Sequence, residues 1–106
     1  MPEVNVVAVI KARDGKGDEL AAALSGLATA THGEDGCIHY SLHRGLEDTD
    51  TFVTVEKWGS SEDLKGHMAS PHMKAAMSQF GDLLAGAPTV IPLGAIDLGS
   101  AEKGIF

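Results

Sequence analysis

The spacing of apolar residues changes period several times along this 106-residue chain, and the order of those changes limits the fold more than any other feature. Residues 4–12 (VNVVAVIKA) are almost continuously apolar and rich in β-branched side chains, which is typical of a strand buried on both faces. Residues 16–31 then carry apolar side chains every three or four positions, which predicts a helix. Gly33 follows that helix and is expected to end it in a left-handed conformation.

The middle of the chain predicts a hairpin followed by two helices. Residues 37–44 alternate in a strand-like way, and residues 51–58 (TFVTVEKW) form the clearest strand pattern of the sequence. The short polar turn between them predicts an antiparallel hairpin. Ser60 and then the pair Ser70-Pro71 are helix-start signals, so a short helix and a longer one should follow.

The end of the chain predicts one more strand. The second of those helices is expected to run to residues 86–88, where glycine and proline stop it. Residues 89–98 then form a last strand, and Pro92 requires an edge position or a bulge because proline cannot donate to a ladder. The sequence thus predicts a single domain, with a core over residues 4–98 and a tail over residues 99–106.

The resulting order, β-α-β-β-α-α-β, predicts an α+β ferredoxin-like sandwich, an antiparallel sheet with helices on one face. Such a sheet normally has one solvent-exposed face, yet residues 4–12 place apolar side chains on both faces of their strand. On the strand at 51–58, Val53 and Val55 likewise lie opposite the face that carries Phe52. We therefore expect a homodimer packed sheet on sheet, a dimeric α/β barrel, with the C-terminal strand or the tail reaching the partner.

Composition narrows the classes of partner and compartment. Eight basic and 15 acidic residues leave a net charge of −7, which disfavours nucleic acid and anionic membrane surfaces. No apolar run approaches the ~18 residues of a membrane span, and the N-terminus carries no secretory pattern. The single cysteine, Cys37, excludes an internal disulfide framework. These features favour a cytoplasmic protein.

Motifs for the common cofactors are missing from the sequence. It contains no phosphate-binding loop of the Walker type, no complete dinucleotide fingerprint and no G-x-S-x-G elbow. His39 and His43 share a strand face but are separated by ~13 Å of strand, too far to ligate one ion. His67 and His72 flank a helix break, which leaves their geometry open. We therefore expect no cofactor and no metal.

Glu56 and His67 are the residues most suggestive of chemistry. Glu56 is a mid-strand carboxylate on the same face as Trp58, and His67 lies on the apolar side of its short helix. Each has a structural interpretation, as a hydrogen-bond acceptor and as a core histidine. In the functional interpretation both border an apolar cavity between sheet and helices, where His67 acts as a general base.

Three motifs in register resemble one family. They are Glu34-x-Gly36-Cys37-x-x-Tyr40, then Glu56-x-Trp58, then His67-x-x-Ser70-Pro71-His72-Met73. Together they are similar to the pattern of antibiotic biosynthesis monooxygenase (ABM) domains, with the elements in matching order over residues 4–98. The resemblance implies a dimeric ferredoxin-like fold with one pocket per subunit.

The resemblance also implies an enzyme, a cofactor-free monooxygenase that oxidises quinols or polycyclic phenols. A phenol needs no flavin if the protein binds its anion, because the anion itself can pass an electron to oxygen. The protein then needs an apolar pocket, a base and donors for the developing oxyanion. His67 is the expected base, beside Glu56. The expected pocket walls are Trp58, Phe52, Leu64 and Met68, and the candidates for orienting the substrate oxygen are Tyr40, His72 and Asn5, which by strand parity do not all share one face.

Two other functions, an isomerase and a binding module, stay open at the level of sequence, whereas haem degradation is disfavoured. Some relatives isomerise small phosphorylated carbonyl compounds, which would require a cationic clamp from Arg13, Arg44 or Lys57. Haem-degrading relatives use a helix histidine as the iron ligand, and alignment on Trp58 puts Met77 at that position, which argues against that activity. The other open alternative is a non-catalytic dimeric binding or stress-response module whose pocket holds a small apolar ligand.

Overall fold

The computed structural model describes residues 2–106 and contains one antiparallel sheet. Its strands are β1 (Val4–Lys11), β2 (Cys37–Arg44), β3 (Thr51–Trp58) and β4 (Thr89–Leu93), in the order β2-β3-β1-β4. This order, with the helices packed on one face, confirms the predicted ferredoxin-like α+β class. No helix within the described residues is long and apolar enough to cross a membrane. The helices are α1 (Gly17–Thr31), α2 (Ser61–Met68), α3 (Pro71–Phe80) and the short α4 (Ala101–Gly104).

The two central strands form the sheet's side of the hydrophobic core. Alternate residues of β1 and β3 turn toward the helices, as the two-residue period of a strand requires. They meet α1 and α3 in a main core and leave a second, smaller cluster beside α2. The second cluster consists of Val6, Ala28, Tyr40 and Trp58, with Val4, Cys37 and Leu64 packed against it. The site described below lies at this end of the sheet.

Helix α3 ends at Phe80, six residues before the expected stop at residues 86–88. The reason lies in the tertiary structure, because the chain after Phe80 pairs with the end of β1. The backbone N–H of Arg13 donates to the carbonyl of Leu83, and that of Ala85 donates to the carbonyl of Lys11. A continued helix would leave no groups free for this bridge.

Two other local expectations are also corrected. Gly33 does not adopt the left-handed conformation, since only Gly15 and Gly99 have positive φ within residues 2–106. The last strand stops at Leu93 instead of residue 98, and it does lie at the sheet edge, as Pro92 requires.

A bulge at the start of β2 changes which side chains face the helices. Strict alternation would put Ile38 on the same face as Tyr40, but the pairing with β3 shifts between Cys37 and His39, and Ile38 is 53% exposed. Tyr40 returns to the inner face, opposite Glu56.

The outer face of the sheet, away from α1–α3, is apolar at its centre. Val7 of β1 is paired with Val55 on one side and with Ile91 on the other, so their side chains form one row. Val9 and Val53 form the next row. The tail lies over this face of its own chain, where the Phe106 ring is 6.2 Å from the ring of His39.

Candidate functional site

Glu56 is held on the inner face of β3 by the residues two positions before and after it. The Thr54 hydroxyl donates to Glu56 Oε2 at 2.7 Å, and the Trp58 indole Nε1–H donates to Oε1 at 2.9 Å. All three side chains are buried, so these bonds offset the cost of removing a carboxylate from water. The alternation of a strand is what puts residues 54, 56 and 58 on one face.

His67 lies flat against this group. Its ring centroid is 4.5 Å from that of Trp58 at an interplanar angle of 33°, and 5.8 Å from that of Tyr40. The His67 side chain is only 3% exposed. The buried Trp58 ring thus packs against the imidazole and restricts its orientation.

Glu34 joins two histidines that belong to different helices. Its Oε2 lies 2.7 Å from Nδ1 of His67 and 2.7 Å from Nε2 of His72. A carboxylate oxygen only accepts, so each of these ring nitrogens donates its N–H in the neutral imidazole. Nε2 is then the unprotonated nitrogen of His67, and it makes no hydrogen bond within the described residues.

Two local features hold this arrangement in place. Ser70 caps α3 by accepting from the Met73 N–H at 3.3 Å, while its own hydroxyl donates to the carbonyl of His67 at 2.6 Å, so one side chain ties the two helices together. Gly36 lies directly against the Asp63 side chain, where a Cβ atom would collide. The loop that carries Glu34 can therefore dock on the start of α2.

A cavity of about 290 Å³ opens beside His67, between the sheet and α2–α3. Its walls are mainly apolar, with Met68 and Met77 at the opening, where they are 45% and 59% exposed. Four side chains bring polar atoms to the lining: Tyr40, Thr54, Glu56 and His67. Since Nδ1 of His67 is hydrogen-bonded to Glu34, Nε2 is the ring nitrogen that has no protein partner within the described residues.

Burial changes the ionisation of two groups near the cavity. Desolvation, followed by the negative charge of Glu56, raises the pKa of Tyr40 well above its ordinary value, so the phenol stays protonated and remains a donor. Burial also raises the pKa of the Cys37 thiol, helped by the carboxylates of Glu34 and Glu56. Cys37 is therefore a poor nucleophile near neutral pH.

The structure brings some of the residues named from sequence together and separates others. Those that line the cavity are Tyr40, Glu56, Leu64, His67 and Met68. Trp58 lies behind His67 without lining the cavity, and Phe52 is in the main core. His72 meets the group only through Glu34. Asn5 pairs with Lys57 on the opposite face of the sheet, where its buried Oδ1 lacks a hydrogen bond within the described residues.

Two residues of the site were not singled out from the sequence. Thr54 shares a strand face with Glu56, so the alternation of the strand predicts its position. A polar hydroxyl on an inner face was the sequence feature that could have identified it. Glu34 lies in a loop, 33 residues from His67 along the chain. The only sequence signal for it was its place in the motif that ends at Tyr40.

Comparison with known proteins assigns the chain to a family. Residues 4–79 match the model of the family described as "Antibiotic biosynthesis monooxygenase", which is more than half of the chain. The chain belongs to the antibiotic biosynthesis monooxygenase family. The matched segment contains Glu34, Glu56, Trp58, His67 and His72, so the whole hydrogen-bonded group lies inside the ABM domain.

Individual relatives agree with this assignment. The chain is 34% identical over 98 residues to the Mycobacterium tuberculosis protein named "Putative monooxygenase Rv0793", covering 92% of this chain and 96% of the relative. It is 26% identical over 84 residues to "Putative monooxygenase YcnE" of Bacillus subtilis, covering 79% and 88%. The structure of Rv0793 superposes with a TM-score of 0.84 and 31% identity, over 93% of this chain and 100% of that one.

A more divergent structure shows the same fold. PA3566 from Pseudomonas aeruginosa superposes with a TM-score of 0.86 at 24% identity, over 92% of this chain and 97% of that one. The two proteins therefore share the same overall fold over most of their length.

Proposed function

We propose that this ABM protein is a cofactor-independent monooxygenase that oxidises a small quinol or phenol with molecular oxygen in the cavity beside His67. The observation that carries the proposal is the meeting of an apolar cavity with a histidine held by a carboxylate. His67 Nδ1–H donates to Glu34 Oε2 at 2.7 Å, which leaves Nε2 as the free ring nitrogen of a residue that lines the cavity. Family membership and the names of the relatives support the reaction class.

In this mechanism His67 Nε2 accepts the phenolic proton as the substrate binds. Glu34 stabilises the imidazolium that forms, and Trp58 keeps the ring plane fixed against the cavity wall. The protonated Tyr40 hydroxyl supplies a donor to the substrate oxyanion. The apolar walls exclude water, which strengthens these interactions.

The anion then reacts with oxygen without a protein-bound redox group. One electron passes from the phenolate to O₂, the two radicals combine to a carbon-bound hydroperoxide, and loss of water leaves a carbonyl at that carbon. For a hydroquinone the balance is quinol plus O₂ to hydroxyquinone plus H₂O, so the substrate supplies all four electrons. A cavity of about 290 Å³ is at the lower end of ligand pockets, which favours one- or two-ring substrates over larger polyketides.

The isomerase alternative lacks its phosphate clamp. Arg13 donates to the carbonyls of Leu84 and Gly81, and Arg44 pairs with Asp18. Lys57 lies 3.4 Å from Glu3 on the other face of the sheet. No arginine or lysine of residues 2–106 lines the cavity, so a phosphorylated substrate would find no cation there.

The test is oxygen uptake by chelator-stripped protein with a panel of one- and two-ring hydroquinones, corrected for autoxidation. We expect one O₂ consumed per quinol and one ¹⁸O atom retained in the product. His67→Ala should lower turnover by ~10²–10⁴-fold. His43→Ala, on the outer face, is the matched control and should not change it. Saturable ligand binding without oxygen consumption would instead favour a binding module.

We also propose that the outer face of the sheet is covered by a second copy of the chain. Val9 and Ile91 are 38% and 45% exposed at the centre of an apolar surface, which a monomer would leave in water. Sedimentation equilibrium at micromolar concentration should give twice 11.0 kDa. Val9→Lys should shift the mass toward the monomer, whereas Leu46→Lys, at a loop residue that is 98% exposed, should not. A folded wild-type monomer would contradict the proposal.

A further inference from the structure

We propose that Glu34, His67 and His72 form a binding site for one divalent transition-metal cation of the Zn²⁺ type, and that the bound cation inhibits His67 as a base. The second half of this proposal rests on the function proposed above, and the first half does not. The three ligand atoms are one carboxylate oxygen and two imidazole nitrogens, all within 4.8 Å of one another. Two histidines and one glutamate are a donor set that Zn²⁺ uses, with the fourth position left to water.

The geometry requires only a small adjustment to receive an ion. Around a tetrahedral Zn²⁺ with bonds of about 2.0–2.2 Å, ligand atoms lie roughly 3.3–3.6 Å apart. The two contacts of Glu34 Oε2, now 2.7 Å each, must therefore open by less than about 1 Å, and the two imidazole nitrogens, which lie within 4.8 Å of each other, must close by at most about 1.5 Å. Glu34 lies in the loop between α1 and β2, where a side-chain rotation can supply this movement.

Solvent reaches the site mainly at Glu34 and His72. The His67 side chain is 3% exposed and packed on Trp58, so it provides a fixed ligand. Glu34 and His72 are 19% and 24% exposed, which gives an ion a path in and leaves room for a water ligand. The Ser70 hydroxyl, bonded to the His67 carbonyl at 2.6 Å, holds the two helix ends that present the histidines. The net charge of −7 also favours cation approach.

Metal binding and base catalysis exclude each other at this histidine. Without an ion, the proton of the neutral His67 ring is on Nδ1, shared with Glu34, and Nε2 is free to accept. An ion on Nδ1 forces the ring proton to Nε2, which becomes a donor and can no longer take a proton from a phenol. One proton leaves Nδ1 and one is taken up at Nε2, so the ring stays neutral. The cation thus changes the tautomer that faces the cavity.

The first experiment measures binding without any substrate. Calorimetric titration of chelator-stripped protein with Zn²⁺ should give one site per chain. His72→Ala should weaken binding by at least about 10-fold, because it removes a ligand that is not part of the core. The control is the double variant His39→Ala/His43→Ala. The side chains of these histidines approach each other more closely than the ~13 Å strand spacing predicted, because each Nε2 lies 2.9 Å from the Ser41 hydroxyl. Binding in this control should match the wild type.

The second experiment follows the ring itself. ¹⁵N NMR of the histidine side chains should show His67 protonated at Nδ1 before Zn²⁺ is added and at Nε2 afterwards. With an oxidisable quinol, oxygen uptake should fall with the same midpoint as binding, and in His72→Ala that midpoint should move up by the same factor as the affinity.

Separate results overturn the two proposals. Absence of saturable Zn²⁺ binding below ~100 μM, or binding lost in the His39/His43 variant and retained in His72→Ala, would refute the metal site whatever the activity. Zn²⁺ binding that leaves oxygen uptake unchanged would refute inhibition through His67. Absence of oxygen uptake in metal-free protein bears on the proposed function alone, because binding and the tautomer change are measured without turnover.

Discussion

Replacing Trp58 by Phe tests whether the hydrogen bond from the indole N–H stabilises the buried carboxylate of Glu56 in β3. Phe keeps an aromatic face against His67 but removes the donor that reaches Glu56 Oε1 at 2.9 Å. Glu56 is 5% exposed and Trp58 is fully buried, so water cannot easily replace the lost bond. An unpaired buried acceptor costs about 1–3 kcal/mol, and the smaller ring adds about 1 kcal/mol of lost packing.

The expected total is therefore a loss of roughly 2–4 kcal/mol in the free energy of unfolding. For a domain of this size that lowers Tm by roughly 8–16 °C. Far-ultraviolet circular dichroism during urea and thermal unfolding, at one fixed protein concentration, measures it. Phe52→Leu is the matched control, because it trims a buried ring on the same face of β3 that makes no hydrogen bond, and it should cost about 1 kcal/mol.

A double-mutant cycle separates the hydrogen bond from packing. Glu56→Gln removes the buried charge. In that background, Trp58→Phe should lower the free energy of unfolding by at least about 1 kcal/mol less than it does in the wild type. If Trp58→Phe is within 0.5 kcal/mol of the wild type, or if the cycle shows no coupling, then the indole N–H does not stabilise Glu56 as argued.

Three further predictions concern groups around the same cavity. The raised pKa of Tyr40 keeps the phenol protonated in the folded state, while the unfolded phenol ionises near pH 10. Above pH 10 the free energy of unfolding of the wild type should therefore fall by up to ~1.4 kcal/mol per pH unit relative to Tyr40→Phe. Urea unfolding at pH 9, 10 and 11 measures this, and equal pH dependence in the two proteins would contradict it. Since the pKa of Cys37 is raised, iodoacetamide should alkylate Cys37 more slowly than it alkylates glutathione at pH 8. Glu34→Gln should accelerate the reaction by removing one of the nearby negative charges. Mass spectrometry follows the product, and a rate equal to that of glutathione would be inconsistent with burial of the thiol. Ser70→Ala should lower the free energy of unfolding by about 1–2 kcal/mol, because α3 loses its cap, whereas the exposed Ser78→Ala should change it by less than about 0.5 kcal/mol.

Local chemistry was sufficient to predict most of the fold. The strand and helix periods, the Ser60 and Ser70 caps and the edge position of Pro92 depend on neighbours within a few residues, and all of them are found in the structure. The shared face of Glu56 and Trp58 belongs to the same class, because a strand places residues two apart on one side. Membership in the ABM family was likewise readable from motifs that are short and contiguous.

What only the tertiary structure decided involves groups that are distant in sequence. Glu34 meets His67 and His72 across 33 and 38 residues, and no periodicity of the loop that carries it could predict which side chains its carboxylate would reach. Helix α3 stops at Phe80 because its following backbone groups pair with the end of β1, an interaction that competes with helix continuation only once the sheet has formed. The sequence by itself therefore determined the elements and their faces. The docking of one loop against two helix ends determined the tautomer that His67 presents to the cavity.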